Sequence, residues 1–257
     1  MAEHILSSLE ENIGVITLNR PESHNAITTE MWQKLPGVLD RLKGRGARVI
    51  VLTGQGDSFA SGADLHELQK LHDFDSAMEF WLAIEDCLNA VWRFELPVLA
   101  MIQGPCFGGG CLLASACDLR YASKNATFGI PVARLGIILD DASIARLVAL
   151  VGSAFAKQML YTASTIHSDE ALRRGLIDDL FDSGSLRAQV LRIAQAIAQN
   201  ESVSLGEAKK AIGRAQFGAL HNSDSAMLGR DLRLQIVERY MSPAFHKRVE
   251  QAISSLE

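Results

Sequence analysis

Apolar runs of two kinds divide this chain, short alternating or continuous ones that predict strands and longer helical stripes between them. Residues Ile13-Gly14-Val15-Ile16-Thr17-Leu18-Asn19 alternate well enough for a strand, which Arg20-Pro21 ends. A polar loop over 22–26 precedes Thr28 and Thr29, either of which can cap a helix. The buried face of that helix is Met31, Leu35, Val38, Leu39 and Leu42. Pro36 lies inside this run and is expected to bend the helix or weaken its first half. Residues 48–54 form a second strand, closed by Gly54-Gln55-Gly56-Asp57. Phe59-Ala60-Ser61-Gly62-Ala63-Asp64-Leu65 is then a small-residue turn leading into polar helical sequence. Phe80, Trp81, Ile84, Leu88, Val91 and Trp92 make an amphipathic stripe that reads as core.

A buried strand over 96–103 and a small, apolar helix over 111–118 flank the segment Gly104-Pro105-Cys106-Phe107-Gly108-Gly109-Gly110. Another short strand, 119–123, follows, then 127–131, and a helix from Ile144 through Val151. Strand, loop, strand and helix thus recur with glycine-rich corners, which predicts a spiral of similar layers without a strict repeat period. After Gly152 the pattern is mostly helical. Residues 169–175 form a helix closed by Gly175, with a short strand beyond. Stretches 186–199 and 203–217 are helical, and 225–256 reads as two more helices. Such a tail cannot bury its apolar side alone, so it packs on the core or on another subunit.

With 257 residues, 48% of them apolar, the chain can bury a full core and suits one large domain plus an appendage. A formal net charge of −5 argues against a nucleic-acid or anionic-membrane surface. No apolar run approaches the roughly 18 residues of a membrane span. The start, Met1-Ala2-Glu3-His4, lacks the basic and apolar regions of a signal peptide. Cys87, Cys106, Cys111 and Cys117 lack metal-ligand spacing and read as free buried thiols of a reducing cytoplasm. The histidines show no metal spacing either, so no metal is expected.

The glycine-rich corner admits two readings. Glycines there let a backbone approach a ligand and leave the first helical N–H groups unpaired, which suits an oxygen gaining negative charge. They also permit nothing more than tight strand–helix packing. No Lys-Ser/Thr follows, so this is no P-loop, and the spacing is not that of a dinucleotide-binding turn. Ser61, Asp64 and His66 lie close in sequence, a proximity that does not define a triad.

Taken in order, Asn19-Arg20-Pro21…Asn25-Ala26, Phe59-Ala60-Ser61-Gly62-Ala63-Asp64, Gly104…Gly108-Gly109-Gly110 and Ala171-Leu172-Arg173-Arg174-Gly175-Leu176-Ile177 resemble the crotonase, or enoyl-CoA hydratase/isomerase, superfamily. The resemblance covers nearly the whole chain. It implies an α/β crotonase-like spiral of ββα units over 1–195, binding acyl-CoA, and a C-terminal helical oligomerisation region over 196–257. It also implies a homotrimer or a dimer of trimers, a cytoplasmic location and a CoA thioester as substrate with no further cofactor. The thioester oxygen would be held by the backbone N–H groups of Ala63 and Gly109. CoA contacts carried over by position are His24, Ala26, Ser61, Asp64, Leu65 and Phe107. Asp64 is at least equally suited to capping a helix. Lys247 and Arg248 either meet CoA phosphates from a neighbouring subunit or form a solvated helix face.

One departure bears on the chemistry. The family's hydratases carry glutamates at the positions of Leu112 and Val132. Adding water needs a base for the water and an acid for the α-carbon, and neither side chain supplies one. Asp140, four residues beyond Gly136, stands where the resemblance extends to Δ3,Δ2-enoyl-CoA and dienoyl-CoA isomerases. It also extends there to 4-chlorobenzoyl-CoA dehalogenase, whose aspartate is a nucleophile. Asp140 is therefore expected to shuttle a proton and Asp141 to be structural, against the alternative that both merely open a helix. Double-bond isomerisation is the first expectation; hydrolytic or substitution chemistry and a non-catalytic acyl-CoA-binding protein are its rivals.

Overall fold

The computed structural model describes residues 3–217 and 225–255. Strands β1 (Ile5–Glu10) and β2 (Ile13–Leu18) form a hairpin, followed by helix α1 (Thr29–Gly44) and strand β3 (Val49–Gly54). Helices α2 (Leu65–Leu68) and α3 (Phe74–Arg93) lead to β4 (Val98–Ile102), β5 (Pro105–Phe107) and α4 (Gly109–Ala116). The third layer is β6 (Leu119–Ser123), β7 (Thr127–Gly129), α5 (Val132–Leu135) and α6 (Asp141–Thr162). Then come β8 (Ile166–His167), α7 (Ser168–Arg173), β9 (Asp179–Phe181) and α8 (Leu186–Ala198). Helices α9 (Ser202–Phe217), α10 (Ser225–Tyr240) and α11 (Pro243–Ser254) complete the described chain.

The principal sheet has the order β1-β2-β3-β4-β6-β9, antiparallel only at β1–β2, and β5-β7-β8 form a second, small sheet. Parallel strands buried on both faces need apolar residues at successive positions. Ile16, Leu18, Ile50, Leu52, Val98, Ala100 and Ile102 point into the main core with α1, α3 and α4. Their neighbours Val15, Val49, Val51, Leu99 and Met101 face α8 through Leu186, Val190 and Ala194. The expected strands are all present within a residue or two, and the layered spiral of mixed strands with a helical C-terminal region is the architecture found.

Pro36 does not interrupt α1, which runs unbroken from Thr29 to Gly44 with Thr28 as its cap. Fully burying Trp32, Leu35, Val38, Leu39 and Leu42 outweighs the roughly 3 kcal/mol that an interior proline costs. α6 is longer than the expected Ile144–Val151, because it continues past a break at Gly152 (φ 73°, ψ 159°). By length and composition alone it is apolar enough to cross a membrane. Yet Leu147, Phe155, Ala156 and Met159 bury it in the main core. The division at residues 195 and 196 falls inside α8, a helix packed against the sheet. The helical appendage therefore begins with α9.

The tail finds its partner within the chain. Ile236, Val237 and Tyr240 of α10 and Phe245 and Val249 of α11 share a third apolar cluster with Leu68, Phe80 and Trp81. α9 is fastened by Lys209, which pairs with Asp118 at 2.8 Å.

Candidate active site

Two loops that the sequence pattern left unconnected are clamped together by buried polar residues. Asn25, fully buried, donates from Nδ2 to the carbonyls of Gln55 and Ser58, while its Oδ1 accepts from the Arg20 N–H. The Arg20 guanidinium donates to the Ala26 carbonyl at 2.7 Å and to Asp64 Oδ2 at 2.8 Å. Asp64 Oδ1 meanwhile accepts from His66 N–H and caps α2. Burial alone would push the Asp64 carboxyl up. The hydrogen bond and charge of Arg20, with the His66 and Glu67 N–H groups, outweigh it and hold the carboxyl below the ordinary aspartate range. Glu67 adds a further tie, accepting from the N–H and hydroxyl of Thr29. Asp64 is thus the helix cap weighed from the sequence, with an ion pair added that spacing could not foretell.

This clamp brings Ala63 beside the glycine corner. Ile27 donates to the Gly62 carbonyl at 2.7 Å and accepts from Asp64 N–H at 3.1 Å. Ala63, between them in this parallel bridge, turns its own N–H to the opposite side. The corner itself is drawn in by Phe107 N–H donating to the Ala60 carbonyl, and by Gly108 N–H donating to the Gly129 carbonyl. Gly108 has φ 51° and ψ −123°, a conformation in which a side chain is strained, and it starts α4 with Gly109 as first helical residue. A methyl group on Gly109 would stand 3.6 Å from Ala63 N and 3.1 Å from the Trp32 ring. The Gly109 backbone thus packs close to Ala63 N, and among the described residues neither N–H donates to a carbonyl or side chain.

Apolar side chains of the surrounding segments divide between two clusters. Leu112, Val132 and Leu139 belong to the main core, and Ala63, Ile137 and Ile138 to the cluster covered by α10 and α11; Ile84 packs on both. Asp140 caps α6: Oδ1 accepts from Ser143 N–H at 2.9 Å and Oδ2 from Ser143 Oγ–H at 2.6 Å. Asp141 follows in the first turn, exposed. Asp140 rather than Asp141 is the cap, because the capping oxygen must come from the extended residue just before the helix. Each carboxylate oxygen keeps a free lone pair for another proton or donor.

The other residues anticipated as CoA contacts lie on the same two loops and the glycine corner. His24, at φ 49°, is exposed and its Nδ1 lies 3.0 Å from Ser58 Oγ. Ser61 is exposed, with its hydroxyl donating to the Ser23 carbonyl. Leu65 opens α2, and its carbonyl accepts from Gln69. Ala26 is nearly buried, its carbonyl occupied by Arg20. Phe107 lays its ring against Gly129. Arg248 reaches over Gly136 of the same chain. All four cysteines are free and buried, and burial pushes the Cys117 thiol up to about 12. Glu85, Arg146 and Arg233 carried no local signal in the sequence; in the fold Arg233 donates to Glu85 Oε1 at 3.4 Å and Arg146 donates to Asn89 Oδ1.

A spiral of ββα layers with glycine-rich corners and a helical C-terminal region defines the crotonase class of fold. The sequence profile of the enoyl-CoA hydratase/isomerase family matches residues 8–234. A short-chain-enoyl-CoA hydratase of Clostridium acetobutylicum is 33% identical over 213 residues, 82% of this chain and 81% of that protein. A crotonyl-CoA hydratase of Syntrophomonas wolfei is 35% identical over 227 residues, covering 88% and 86%. The crystal structure of an enoyl-CoA hydratase/isomerase family protein from Hyphomonas neptunium matches with TM-score 0.81 at 31% identity, covering 91% of this chain and 89% of that one. The chain belongs to the enoyl-CoA hydratase/isomerase family and is an acyl-CoA enzyme of that family.

Proposed function

We propose that this enzyme shifts the double bond of an enoyl-CoA, holding the thioester enolate at the N–H groups of Ala63 and Gly109. Asp140 takes a proton from one acyl carbon and returns it to another. No cofactor beyond the CoA thioester takes part, and the CoA lies along His24, Ser61 and Leu65. The observation that carries this reading is that Ala63 and Gly109, on adjacent loops, have N–H groups that donate to nothing among the described residues, while the family resemblance puts acid–base groups where this chain has Leu112 and Val132. Preorganised donors of this kind are typically worth about 3 kcal/mol each when charge develops on the oxygen. Asp140, the cap of α6, supplies the one carboxylate a proton shuttle requires.

The names of the relatives favour a second reading, addition of water to a 2-enoyl-CoA. One assay separates the two. Purified protein is incubated with 3-enoyl-CoA and, separately, with 2-enoyl-CoA while the absorbance of the conjugated thioester is followed. The proposal expects absorbance to rise from the 3-enoyl substrate and to stay nearly constant with the 2-enoyl one. Rapid loss of conjugation from 2-enoyl-CoA would identify a hydratase and overturn it.

A further inference from the structure

Helix α9 covers a hollow rather than a packed face. Gly206 and Gly213, about two turns apart, present bare backbone to the body of the protein. A methyl group on Gly206 would stand 3.2 Å from the Glu95 carbonyl oxygen, and one on Gly213 would stand 3.9 Å from the Trp92 ring. Between α9 and the end of α3 opens a cavity of about 630 Å³, with Phe94 and Ala142 on its wall. A second cavity of about 430 Å³ shares Trp92, Arg146, Lys209 and Gly213 with the first and adds Leu150 and Leu205. Mostly apolar hollows of this size, with a few polar groups, are the usual form of a small-molecule site.

Arg146 of α6 is 3% exposed and lines both cavities. Its guanidinium lies 5.7 Å from the centre of the Trp92 ring and makes one hydrogen bond among the described residues, donating to Asn89 Oδ1. Its Nε is buried and has no partner among them. An enclosed guanidinium N–H can only donate, and leaving it unpaired is unfavourable, so a hollow beside it suits an acceptor. The nearby carboxylates are already committed: Asp118 to Lys209, Glu207 to Lys210 and Glu95 to Lys43. Arg93 and Arg214 line the first cavity, are exposed, and pair with no carboxylate among the described residues. Burial lowers the Arg146 pKa and Arg93 adds to this, while Asp140 and Glu85 oppose it from a distance; the net direction is down. The guanidinium thus lacks a close counter-ion.

We propose that the cavity beneath α9 binds a carboxylate carried on an apolar chain. The carboxylate accepts from Arg146 Nε–H, and the chain lies against Trp92, Phe94 and the bare helix face at Gly206 and Gly213. A planar guanidinium matches a carboxylate in shape, and the two rim arginines draw the anion in. One buried guanidinium among apolar walls balances a single charge; a phosphate would lose more hydration than these donors replace. The ligand touches α3, α6 and α9 together. It therefore fastens a helix that keeps Val203 and Ile212 exposed and is tied to the body through Lys209. None of the lining residues lies on the loops that carry Ala63 and Gly109, so this site stands independently of the enoyl-CoA reading.

The test titrates the full chain with sodium octanoate, 1-octanol and inorganic phosphate by calorimetry at equal ionic strength, comparing wild type with Arg146→Met and Gly213→Leu. A side chain at Gly213 makes ordinary contact with Trp92 and improves helix propensity, so Gly213→Leu fills the cavity in a folded protein. Wild type is expected to bind octanoate about tenfold or more tightly than octanol or phosphate, and each variant to weaken octanoate by about tenfold or more. Octanoate should also raise the Tm of wild type and leave that of Gly213→Leu unmoved. Undiminished octanoate binding in folded Gly213→Leu overturns the location, and this arm decides alone if Arg146→Met does not fold. Undiminished binding in folded Arg146→Met overturns the role of the guanidinium. Octanol binding as tightly as octanoate overturns the carboxylate, and phosphate doing so overturns the apolar chain. A wild type that binds no octanoate at millimolar concentration overturns the site as a whole.

Discussion

At the donor corner, Ala63 and Gly109 contribute nothing but main-chain N–H groups, held by a lattice of backbone bonds between adjacent loops. Elsewhere Asp140 contributes a side chain, held at the start of α6 by its bonds to Ser143. The first arrangement constrains residue type through shape: glycine where φ is positive, small residues where chains nearly touch. The second constrains charge and burial, and leaves the surrounding residues free to vary in size. Leu112 is buried in the main core, and Val132 packs partly buried against it.

The largest expected effect separates charge from architecture at the α6 cap. Asp140→Asn removes the carboxylate yet keeps an oxygen able to cap α6, so the double-bond shift should fall by about 10²–10⁴-fold with thermal stability nearly unchanged. Asp140→Ala should lose activity to the same extent and about 1 kcal/mol of stability besides, read from urea unfolding. Equal stability of the two variants would remove the cap from the account.

On the donor side the counterpart is Gly108→Ala. Its φ of 51° with ψ of −123° strains any side chain, so the corner must shift and the Gly109 N–H with it. Turnover should drop about 10²–10³-fold, the size expected for one lost donor, while Asp140-dependent pH behaviour is retained. A fully active Gly108→Ala enzyme would show that the corner serves packing alone.

A smaller effect concerns the clamp that connects the two loops. Asp64→Ala removes the cap of α2 and leaves the Arg20 guanidinium without its carboxylate, at a cost of about 3 kcal/mol in chemical denaturation. Because the folded Asp64 carboxyl is held below its unfolded value, near 3.9, the ion pair stabilises fully above that pH. The contribution is lost as pH falls through the lower folded value, so wild type and variant should converge in acid. The smallest response should come from the thiols. Cys87, Cys106 and Cys117 are buried with their thiols pushed up, and a charged disulfide reagent at pH 8 should label none of them until the protein unfolds.

Much of the fold was legible because each layer announces itself locally. The runs over 13–18, 49–54 and 98–102 are buried on both faces, and continuous apolar sequence is what such strands require. Thr28 as cap and Gly175 in a left-handed conformation were likewise written in residue type. Pro36 lies inside a continuous α1, its local cost outweighed by burial that only the folded core supplies. That Asp140 and not Asp141 caps α6 has a similar origin: adjacent identical residues differ only in which one precedes the helix.

By itself, the sequence determined the layered spiral, the two glycine-rich corners and the apolar residues at 112 and 132, because these depend on near neighbours and on backbone conformation. Only the tertiary structure decided that Arg20 and Asn25 bind loop to loop, and that the tail covers its own chain. It alone set Arg233 of α10 against Glu85 of α3. Those facts depend on distances between segments remote in sequence, and a charged residue on a helical stripe looks the same whether it faces solvent or an opposite charge.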